Sequence, residues 1–248
     1  MIDTHAHLDA LDDPAAAVAR ARGVGVGRIL TVGTTVDGCR TALELAEQHE
    51  GVFAILGLHP HEAGSIEAAA VREVCSLLGH PRAVAVGETG LDYFRDYAPR
   101  DAQRRLFERL LSVAAATGKP VVVHTRAAEE DTLAALAGFP GTVVLHCFSS
   151  TELLPAALER GYYVSFAGNA TYPKAADLRT AAARIPADRI LAETDAPYLA
   201  PQPVRGRPNE PANVVHTLAA LAGARGEEAA TLEQAIEANA AAVFGLPE

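Results

Sequence analysis

The sequence opens with a short apolar stretch that runs directly into two histidines, Met1-Ile2-Asp3-Thr4-His5-Ala6-His7. In a β-strand, side chains two residues apart project to the same side. We therefore expect His5 and His7 to direct two imidazoles at one point, which is the geometry of two ligands on one metal ion. A His-x-His pair also occurs by chance or in surface turns, so this prediction depends on what the rest of the chain brings to the same place.

Short runs rich in Val, Ile and Leu recur along the chain and alternate with longer stretches of helical character. Continuous hydrophobicity within a run is typical of a strand that is buried on both faces of a parallel sheet. We predict strands at residues 1–5, 28–32, 52–58, 83–86, 121–124, 142–146, 162–166 and 190–192. We predict helices at residues 14–22, 38–49, 66–78, 100–117, 129–137, 152–160, 175–184, 213–222 and 231–244.

The predicted strands begin about every 27 residues, which is the spacing of repeated strand-plus-helix units. Eight such units in 248 residues predict a (β/α)8 barrel, an α/β fold that reaches this length as one domain. Apolar residues make up 49% of the chain, which is enough for a large core. We predict a single-domain TIM barrel over residues 1–248, with a metal site at the carboxyl ends of its strands.

Charge and cysteine content restrict the class of protein. Acidic residues outnumber basic ones, 31 against 21, which argues against a broad basic surface for duplex nucleic acid but not against local phosphate binding. Three widely spaced cysteines without a Cys-x-x-Cys pair predict reduced thiols and a cytoplasmic location. The sequence shows no secretory signal and no apolar run long enough to cross a bilayer, so we expect no membrane association. No obligatory protein partner is evident.

Metal-ligating residue types lie at or just after the carboxyl ends of the predicted strands, where TIM-barrel active sites lie. Six of the nine histidines occupy such positions, together with two carboxylates. In chain order, these residues are His5, His7, His59, His61, Glu88, His124, His146 and Asp195. Their convergence predicts a metal site on this face of the barrel.

Each of these residues also has an ordinary structural role open to it. His124 or His146 alone can be a hydrogen-bonded core residue, Glu88 a turn carboxylate, and Asp195 a cap that starts a turn. Cys147 adjoins His146, but neighbours on a strand point to opposite sides, so we do not expect the thiol to be a ligand. These structural roles explain each residue singly, but a shared metal site explains all of the residues together.

Four histidines and two carboxylates are too many ligands for one tetrahedral ion but suit two divalent ions that share Glu88. Two ions about 3.5–4 Å apart activate water near neutral pH and stabilise charge on a phosphoryl or carbonyl oxygen. The mixed nitrogen and oxygen ligand set suits Zn, Mn, Ni, Co or Fe, with Mg possible at a carboxylate-rich position.

The motifs around these residues resemble the TatD family of metal-dependent deoxyribonucleases, in order and from one end of the chain to the other. They include Asp3-Thr4-His5-Ala6-His7-Leu8-Asp9, Gly57-Leu58-His59-Pro60-His61, Gly87-Glu88-Thr89-Gly90-Leu91-Asp92-Tyr93, His124-Thr125-Arg126, His146-Cys147-Phe148-Ser149 and Glu193-Thr194-Asp195-Ala196-Pro197. The resemblance implies a TIM barrel of the amidohydrolase superfamily that hydrolyses DNA phosphodiesters, often from a 3′ end of a single strand. Ser150 and Pro208 depart from the family pattern. The resemblance therefore does not predict the detail of the substrate-binding loops, but neither position is an expected metal ligand.

The resemblance also implies metal-ligand roles for the six residues His5, His7, Glu88, His124, His146 and Asp195. We expect the first two histidines and Asp195 on one ion, the other two histidines on the second ion, and Glu88 between the ions. Asp195 is expected to orient the attacking water and to accept its proton. His59 is the third catalytic candidate, as a phosphate contact or as the group that protonates the leaving oxygen.

Further substrate contacts are expected close to the ligands. Arg126 is predicted to contact phosphate, and Arg205 and Arg207 on the loop after the eighth strand are predicted to hold flanking phosphates. Ordinary solvated loop arginines remain the alternative for the last two. Tyr93 and Phe94 are predicted to stack on a terminal base, with packing as the alternative for at least one of them.

Two rival functions remain open at this point. The same scaffold and metals also support hydrolysis of a small amide, ester, lactone or phosphoester, because fold does not determine substrate. The net charge of −10 modestly favours that rival, whereas the loop arginines favour a phosphate-containing substrate. A non-catalytic protein with a residual metal site is the second rival, and intact carboxylates at both Glu88 and Asp195 count against it.

Overall fold

Eight parallel strands follow one another in chain order around a single sheet, and helices alternate with them along the chain. This computed structural model describes residues 1–66 and 68–247. The strands are β1 (Ile2–Ala6), β2 (Arg28–Gly33), β3 (Val52–Leu56), β4 (Ala83–Asp92), β5 (Val121–Arg126), β6 (Val143–Leu145), β7 (Tyr163–Phe166) and β8 (Ile190–Ala192). The predicted TIM barrel is confirmed.

The α-helices of the described residues are α1 (Pro14–Gly23), α2 (Val36–Gln48), α3 (Ala68–Leu77), α4 (Arg100–Thr117), α5 (Glu129–Leu136), α6 (Leu154–Arg160), α7 (Ala176–Arg184), α8 (Val214–Arg225) and α9 (Ala229–Phe244). Each predicted helix has its counterpart, and the predicted bounds of α4 are those observed. Residue 67, inside the predicted third helix, lies outside the described residues. None of these helices is both long and apolar enough to span a bilayer.

The largest correction concerns the end of β4. The polar and glycine-rich motif after residue 86 predicted a strand end there, but β4 continues to Asp92 and is buried along its whole length. The pairing of β4 with β5 extends through the partners Gly90 and His124 and the partners Asp92 and Arg126, which satisfies the backbone of this segment. A side chain on Gly90 would collide with the His124 backbone, so glycine permits this close approach. Glu88 therefore lies within a strand rather than after one. His124, predicted as the last residue of its strand, is followed by two more strand residues.

The barrel closes where the segment after β8 meets β1. The His7 amide donates to the Ala196 carbonyl at 2.7 Å, and the Asp195 amide donates to the His5 carbonyl at 2.9 Å. Below this point the buried Asp3 carboxylate accepts hydrogen bonds from the amide and hydroxyl of Thr194. These bonds hold the first histidine pair beside the aspartate predicted to share its metal ion.

The core is one continuous cluster of apolar side chains from the strands and the inner faces of the helices. Phe107 on α4 is fully buried in it. We expect Phe107→Ala to lower the free energy of unfolding by about 3–5 kcal/mol, since the change loses transfer energy and leaves a cavity. Urea unfolding followed by circular dichroism measures the change. Phe94→Ala is the matched control because Phe94 is 61% exposed, and a loss at Phe107 no larger than the control's would contradict the assignment.

Candidate metal centre

Glu88 lies at the centre of the site, with histidines on both sides of its carboxylate. Its Oε2 atom is 3.3 Å from His5 Nε2 and 3.7 Å from His7 Nε2. Its Oε1 atom is 2.9 Å from both His124 Nδ1 and His146 Nε2. One carboxylate oxygen thus faces each histidine pair, which is the arrangement that a carboxylate needs to bridge two cations.

Asp195 joins the side of the site formed by the first histidine pair. Its Oδ1 atom is 3.4 Å from His7 Nε2 and 3.9 Å from His5 Nε2. The backbone of Asp195 is left-handed, with φ of 55°, a conformation that aspartate adopts more readily than most residues. The structure therefore brings together all six residues predicted as metal ligands.

His59 also faces the central carboxylate, with its Nε2 atom 3.3 Å from Glu88 Oε1. Its Nδ1 atom accepts a hydrogen bond from the His61 amide at 3.2 Å. A neutral imidazole that accepts at one nitrogen carries its proton on the other. His59 Nε2 therefore presents an N–H to the site. It could join Glu88 and His124 on a metal ion only after losing that proton.

The electrostatics of the site are those of a fixed anion ringed by imidazoles. Burial would raise the pKa of Glu88, but the adjacent imidazoles, His146 foremost, hold this pKa well below its usual value. Burial lowers the pKa of His5. The pKa of His146 lies well above its usual value because Glu88 and Glu193 outweigh the effect of burial. An ionised carboxylate with imidazole nitrogens around it is a ligand set that suits a divalent cation.

His5 provides a direct test of whether a metal fits. Both of its ring nitrogens are buried, and neither forms a hydrogen bond with the described residues, since the 3.3 Å contact of Nε2 with Glu88 Oε2 lacks hydrogen-bond geometry. An unsatisfied buried imidazole nitrogen is costly, and a metal ion bound to Nε2 would satisfy it. Three groups of histidines and carboxylates are close enough to hold an ion: His5 with His7 and Glu88, His5 with His146 and Asp195, and His59 with Glu88 and His124. The residues present fit divalent metals that accept mixed nitrogen and oxygen ligands.

Two buried carboxylates contact the histidines on the side away from Glu88. Neither carboxylate is among the site residues predicted from the sequence. Asp92 Oδ2 lies 3.2 Å from His124 Nε2 and 3.0 Å from His61 Nε2. Glu193 Oε1 lies 3.1 Å from His146 Nδ1. Each carboxylate holds the outer N–H of its histidine, so the ring nitrogen toward Glu88 is the one that can lose its proton to make way for a metal ion. The even spacing from residue 88 to residue 92 could have revealed Asp92, had the strand been predicted to continue.

We expect Asp92→Asn to weaken metal binding by about 10- to 100-fold, because the amide no longer accepts from both imidazoles and His124 loses its fixed orientation. Titration with Zn²⁺ or Mn²⁺ against a competing chelating dye measures the affinity. Asp12→Asn, at an exposed position, is the matched control. Equal affinity in the two variants would show that Asp92 does not position the ligand.

The ligands open into a cavity of about 720 Å³. His59 and Arg126, both predicted to contact phosphate, line it, together with Arg95. Cys147 lines it as well, contrary to the expectation that its side chain points away. The alternation rule does not apply there because β6 ends at Leu145 and the Cys147 backbone turns with φ of 46°.

The other four residues predicted to contact substrate are not among those that line this cavity: Tyr93, Phe94, Arg205 and Arg207. The Tyr93 hydroxyl donates to Asp131 at 2.5 Å, and its ring lies under the Arg100 guanidinium. The Arg205 guanidinium stacks on the Tyr172 ring, 3.9 Å from its centroid. Arg207 is exposed on the loop after β8. The structure therefore groups His59 and Arg126 with the metal ligands and places the other four outside the cavity lining. Of these four, Phe94 contacts a lining residue, because the Arg126 guanidinium lies over its ring.

Comparison with known proteins decides the family. The model of the TatD related DNase family matches residues 2–245. The chain belongs to the TatD family. TatD of Mycobacterium tuberculosis, named as an uncharacterized metal-dependent hydrolase, is 38% identical over 99% of this chain and 98% of that protein. TatD of Escherichia coli, named as a 3′-5′ ssDNA/RNA exonuclease, is 36% identical over 92% of each chain.

A solved structure supports the same conclusion. The crystal structure of YJJV, a TatD homologue from Escherichia coli, matches with a TM-score of 0.94 and 32% identity, over 100% of this chain and 98% of that one. The resemblance read from the sequence motifs is confirmed. This TatD-family chain is a metal-dependent hydrolase with a TIM-barrel fold.

Proposed function

We propose that the protein hydrolyses phosphodiester bonds of single-stranded DNA from the 3′ end, with the aid of two divalent metal ions. The observation that carries the proposal is the position of Glu88, whose two carboxylate oxygens face two separate pairs of histidines. The name of the Escherichia coli relative, a 3′-5′ ssDNA/RNA exonuclease, supports the substrate class. The two arginines in the cavity wall, Arg95 and Arg126, support a phosphate-containing substrate over an uncharged amide or lactone.

In this proposal His5, His7 and Asp195 would hold one ion, and Glu88 would contribute to the sites of both ions. His124 and His146 complete the second site through the ring nitrogens that Asp92 and Glu193 leave free. When bound, the metal ions supply Lewis acidity that activates water and neutralises charge on the phosphate. Zn, Mn, Mg, Ni, Co and Fe are all compatible with this ligand set.

The side chains around the metal site have separate tasks. Burial would raise the pKa of Asp195, but the neighbouring His7 lowers it, so the carboxylate is ionised at neutral pH and can accept a proton from the attacking water. The Nε2–H of His59 is placed to donate to a phosphate oxygen or to the leaving oxygen. Arg126 binds the phosphate from the cavity wall, and Arg205 and Arg207 are proposed to hold flanking phosphates.

Tyr93 remains a proposed base contact next to this site. Its present partners, Asp131 and Arg100, would have to give up the ring for a base to stack on it. We also propose a cytoplasmic location, supported by three unpaired cysteines. One of them, Cys39, is buried, which raises the pKa of its thiol to about 12 and keeps it unreactive.

The experiment that tests the function uses single-stranded oligonucleotides labelled at either end, incubated with purified protein and Mg²⁺, Mn²⁺, Zn²⁺, Co²⁺ or Ni²⁺. We expect products that shorten stepwise from the 3′ end. Asp195→Asn should lower the rate by about 10²- to 10⁴-fold, because the amide cannot accept the proton from water. Circular dichroism checks that the variant is folded, and Asp12→Asn again serves as the control.

Undiminished cleavage by Asp195→Asn would show that this carboxylate has another role. Hydrolysis of small esters or amides, together with none of DNA or RNA under any metal, would replace the proposed function with the rival one. A protein that binds metal but hydrolyses none of these substrates would fit the non-catalytic rival.

A further inference from the structure

Exposed aromatic side chains are concentrated around the metal centre. Among the described residues, large apolar side chains are more than half exposed at four positions, of which three are aromatic: Phe94 at 61%, Tyr97 at 66% and Tyr198 at 58%. All three lie in loops that follow strands, on the face of the barrel that carries the site. The fourth position, Val24, precedes β2 and therefore lies toward the opposite face. Clustering of exposed apolar surface beside a cavity is typical of a binding site.

Tyr198 lines the cavity, whereas Phe94 and Tyr97 lie beside it and contact residues that line it. Phe94 and Tyr97 follow β4, whereas Tyr198 follows β8, and these strands are four places apart in a barrel of eight. The Tyr97 ring meets His61 edge to face, with centroids 4.8 Å apart. The Tyr198 ring meets His7 in the same manner at 5.8 Å. Tyr198 therefore contacts a predicted metal ligand, and Tyr97 contacts His61, which shares Asp92 with the predicted ligand His124.

Positive charge accompanies the aromatic rings on the β4 side. The Arg126 guanidinium lies 4.1 Å from the centroid of the Phe94 ring, and the Arg95 guanidinium lies 6.0 Å from it. Both arginines line the cavity. Aromatic faces next to guanidinium groups are the combination by which proteins bind single-stranded nucleic acid, because bases stack and phosphates pair with the cations. This composition favours a nucleotide strand over an apolar peptide as the occupant.

We propose that the two bases flanking the scissile phosphodiester stack on opposite sides of the cavity, one on Tyr198 and the other on the Phe94 and Tyr97 surface. The proposal rests on the nuclease function proposed above and specifies its substrate. Two neighbouring bases can separate in this way only when they are not stacked on each other in a duplex, and unstacking a paired end costs free energy. The aromatic side chains thus select single-stranded ends.

The test couples variants of the protein to variants of the substrate. Tyr198→Ala and Tyr97→Ala are each assayed on a single strand and on the same strand with an abasic residue on one side or the other of the cleaved bond. Loss of a stacking partner should lower kcat/KM on the normal strand by about 5- to 100-fold. An abasic residue on the matching side should cost the wild-type protein a similar factor and cost the alanine variant little more.

Conservative and remote variants serve as controls. Tyr198→Phe and Tyr97→Phe keep the aromatic ring and should retain most of the kcat/KM on the normal strand. Val24→Ala removes a comparably exposed side chain far from the cavity and should behave as wild type. Stacking is also measured without turnover, by the fluorescence quenching of 2-aminopurine in a phosphorothioate strand bound to the metal-loaded protein. We expect the quenching to be lost in the alanine variants.

Two results would overturn the stacking proposal while leaving the nuclease function intact. Alanine variants that cleave and quench like the wild type would show that the aromatic surface serves another partner, such as a protein. Equal losses on normal and abasic strands would show that the rings only support their loops. A wild-type protein that degrades no nucleic acid with any of the metals would contradict both the nuclease function and the stacking proposal. The rate of the wild type therefore separates failure of the nuclease function from failure of the stacking proposal alone.

Discussion

Replacing Glu88 with glutamine is expected to reduce hydrolysis of single-stranded DNA on the order of 10⁴-fold, which corresponds to a loss of about 5.5 kcal/mol of transition-state stabilisation. The physical reason is the division of the carboxylate between its two oxygens. Oε2 faces His5 and His7, and Oε1 faces His124 and His146. A glutamine has one carbonyl oxygen and one amide nitrogen without a free lone pair, so it cannot bridge two cations.

The same substitution should lower bound metal below the level of the wild type, measured by inductively coupled plasma mass spectrometry after gel filtration. Glutamine has nearly the same volume as glutamate, so the buried position stays filled and circular dichroism should not change. Glu44→Gln is the matched control, since Glu44 is exposed on α2. A Glu88→Gln protein with wild-type metal content and wild-type activity would rule out the bridging role.

Replacing both His5 and His7 with alanine is expected to lower bound metal from two equivalents toward one. Both imidazoles contact the same oxygen of Glu88, and both lie near Asp195. The other two histidines face the opposite oxygen and are held by their own carboxylates, Asp92 and Glu193. The second ion should therefore remain, while cleavage of single-stranded DNA falls on the order of 10⁴-fold, as with loss of the bridge.

The control for this double variant is the pair His49→Ala and His216→Ala, at the end of α2 and within α8. Thermal unfolding in the presence of EDTA separates loss of fold from loss of metal, because both proteins are then compared without ions. Where alanine at the buried His5 position impairs folding, glutamine at both positions keeps the volume and removes the imidazoles. Retention of two equivalents of metal in a folded variant would refute the assignment of these histidines to one ion.

Much of the site could be predicted from the chain because its determinants are local. A strand buried on both faces shows itself as a continuous apolar run, and His5, His124 and His146 stand at or near the ends of such runs. Once eight runs predict a barrel, all of these ends must meet on one face. The two-metal prediction followed from the number and type of the residues that converge there.

Other features depended on contacts between distant segments. Asp92 and Glu193 became parts of the site only through hydrogen bonds to His124 and His146, which lie 32 and 47 residues away along the chain. The length of β4 followed from pairing with β5, which overrode the glycine and polar residues that predict a strand end. The position of Cys147 followed from a backbone turn that the periodicity of the sequence does not predict.

The first seven residues separate what the local sequence determines from what the tertiary structure decides. Its apolar start and the spacing of His5 and His7 determined a buried strand with two imidazoles on one side, because side-chain direction in a strand depends only on local geometry. The tertiary structure decided what those imidazoles face, since closure of the barrel brings Asp195 and Glu88 to them from β8 and β4. Which nitrogen faces the centre, and which aromatic rings surround it, depends on packing between strands far apart in sequence, and this could only be seen in the folded chain.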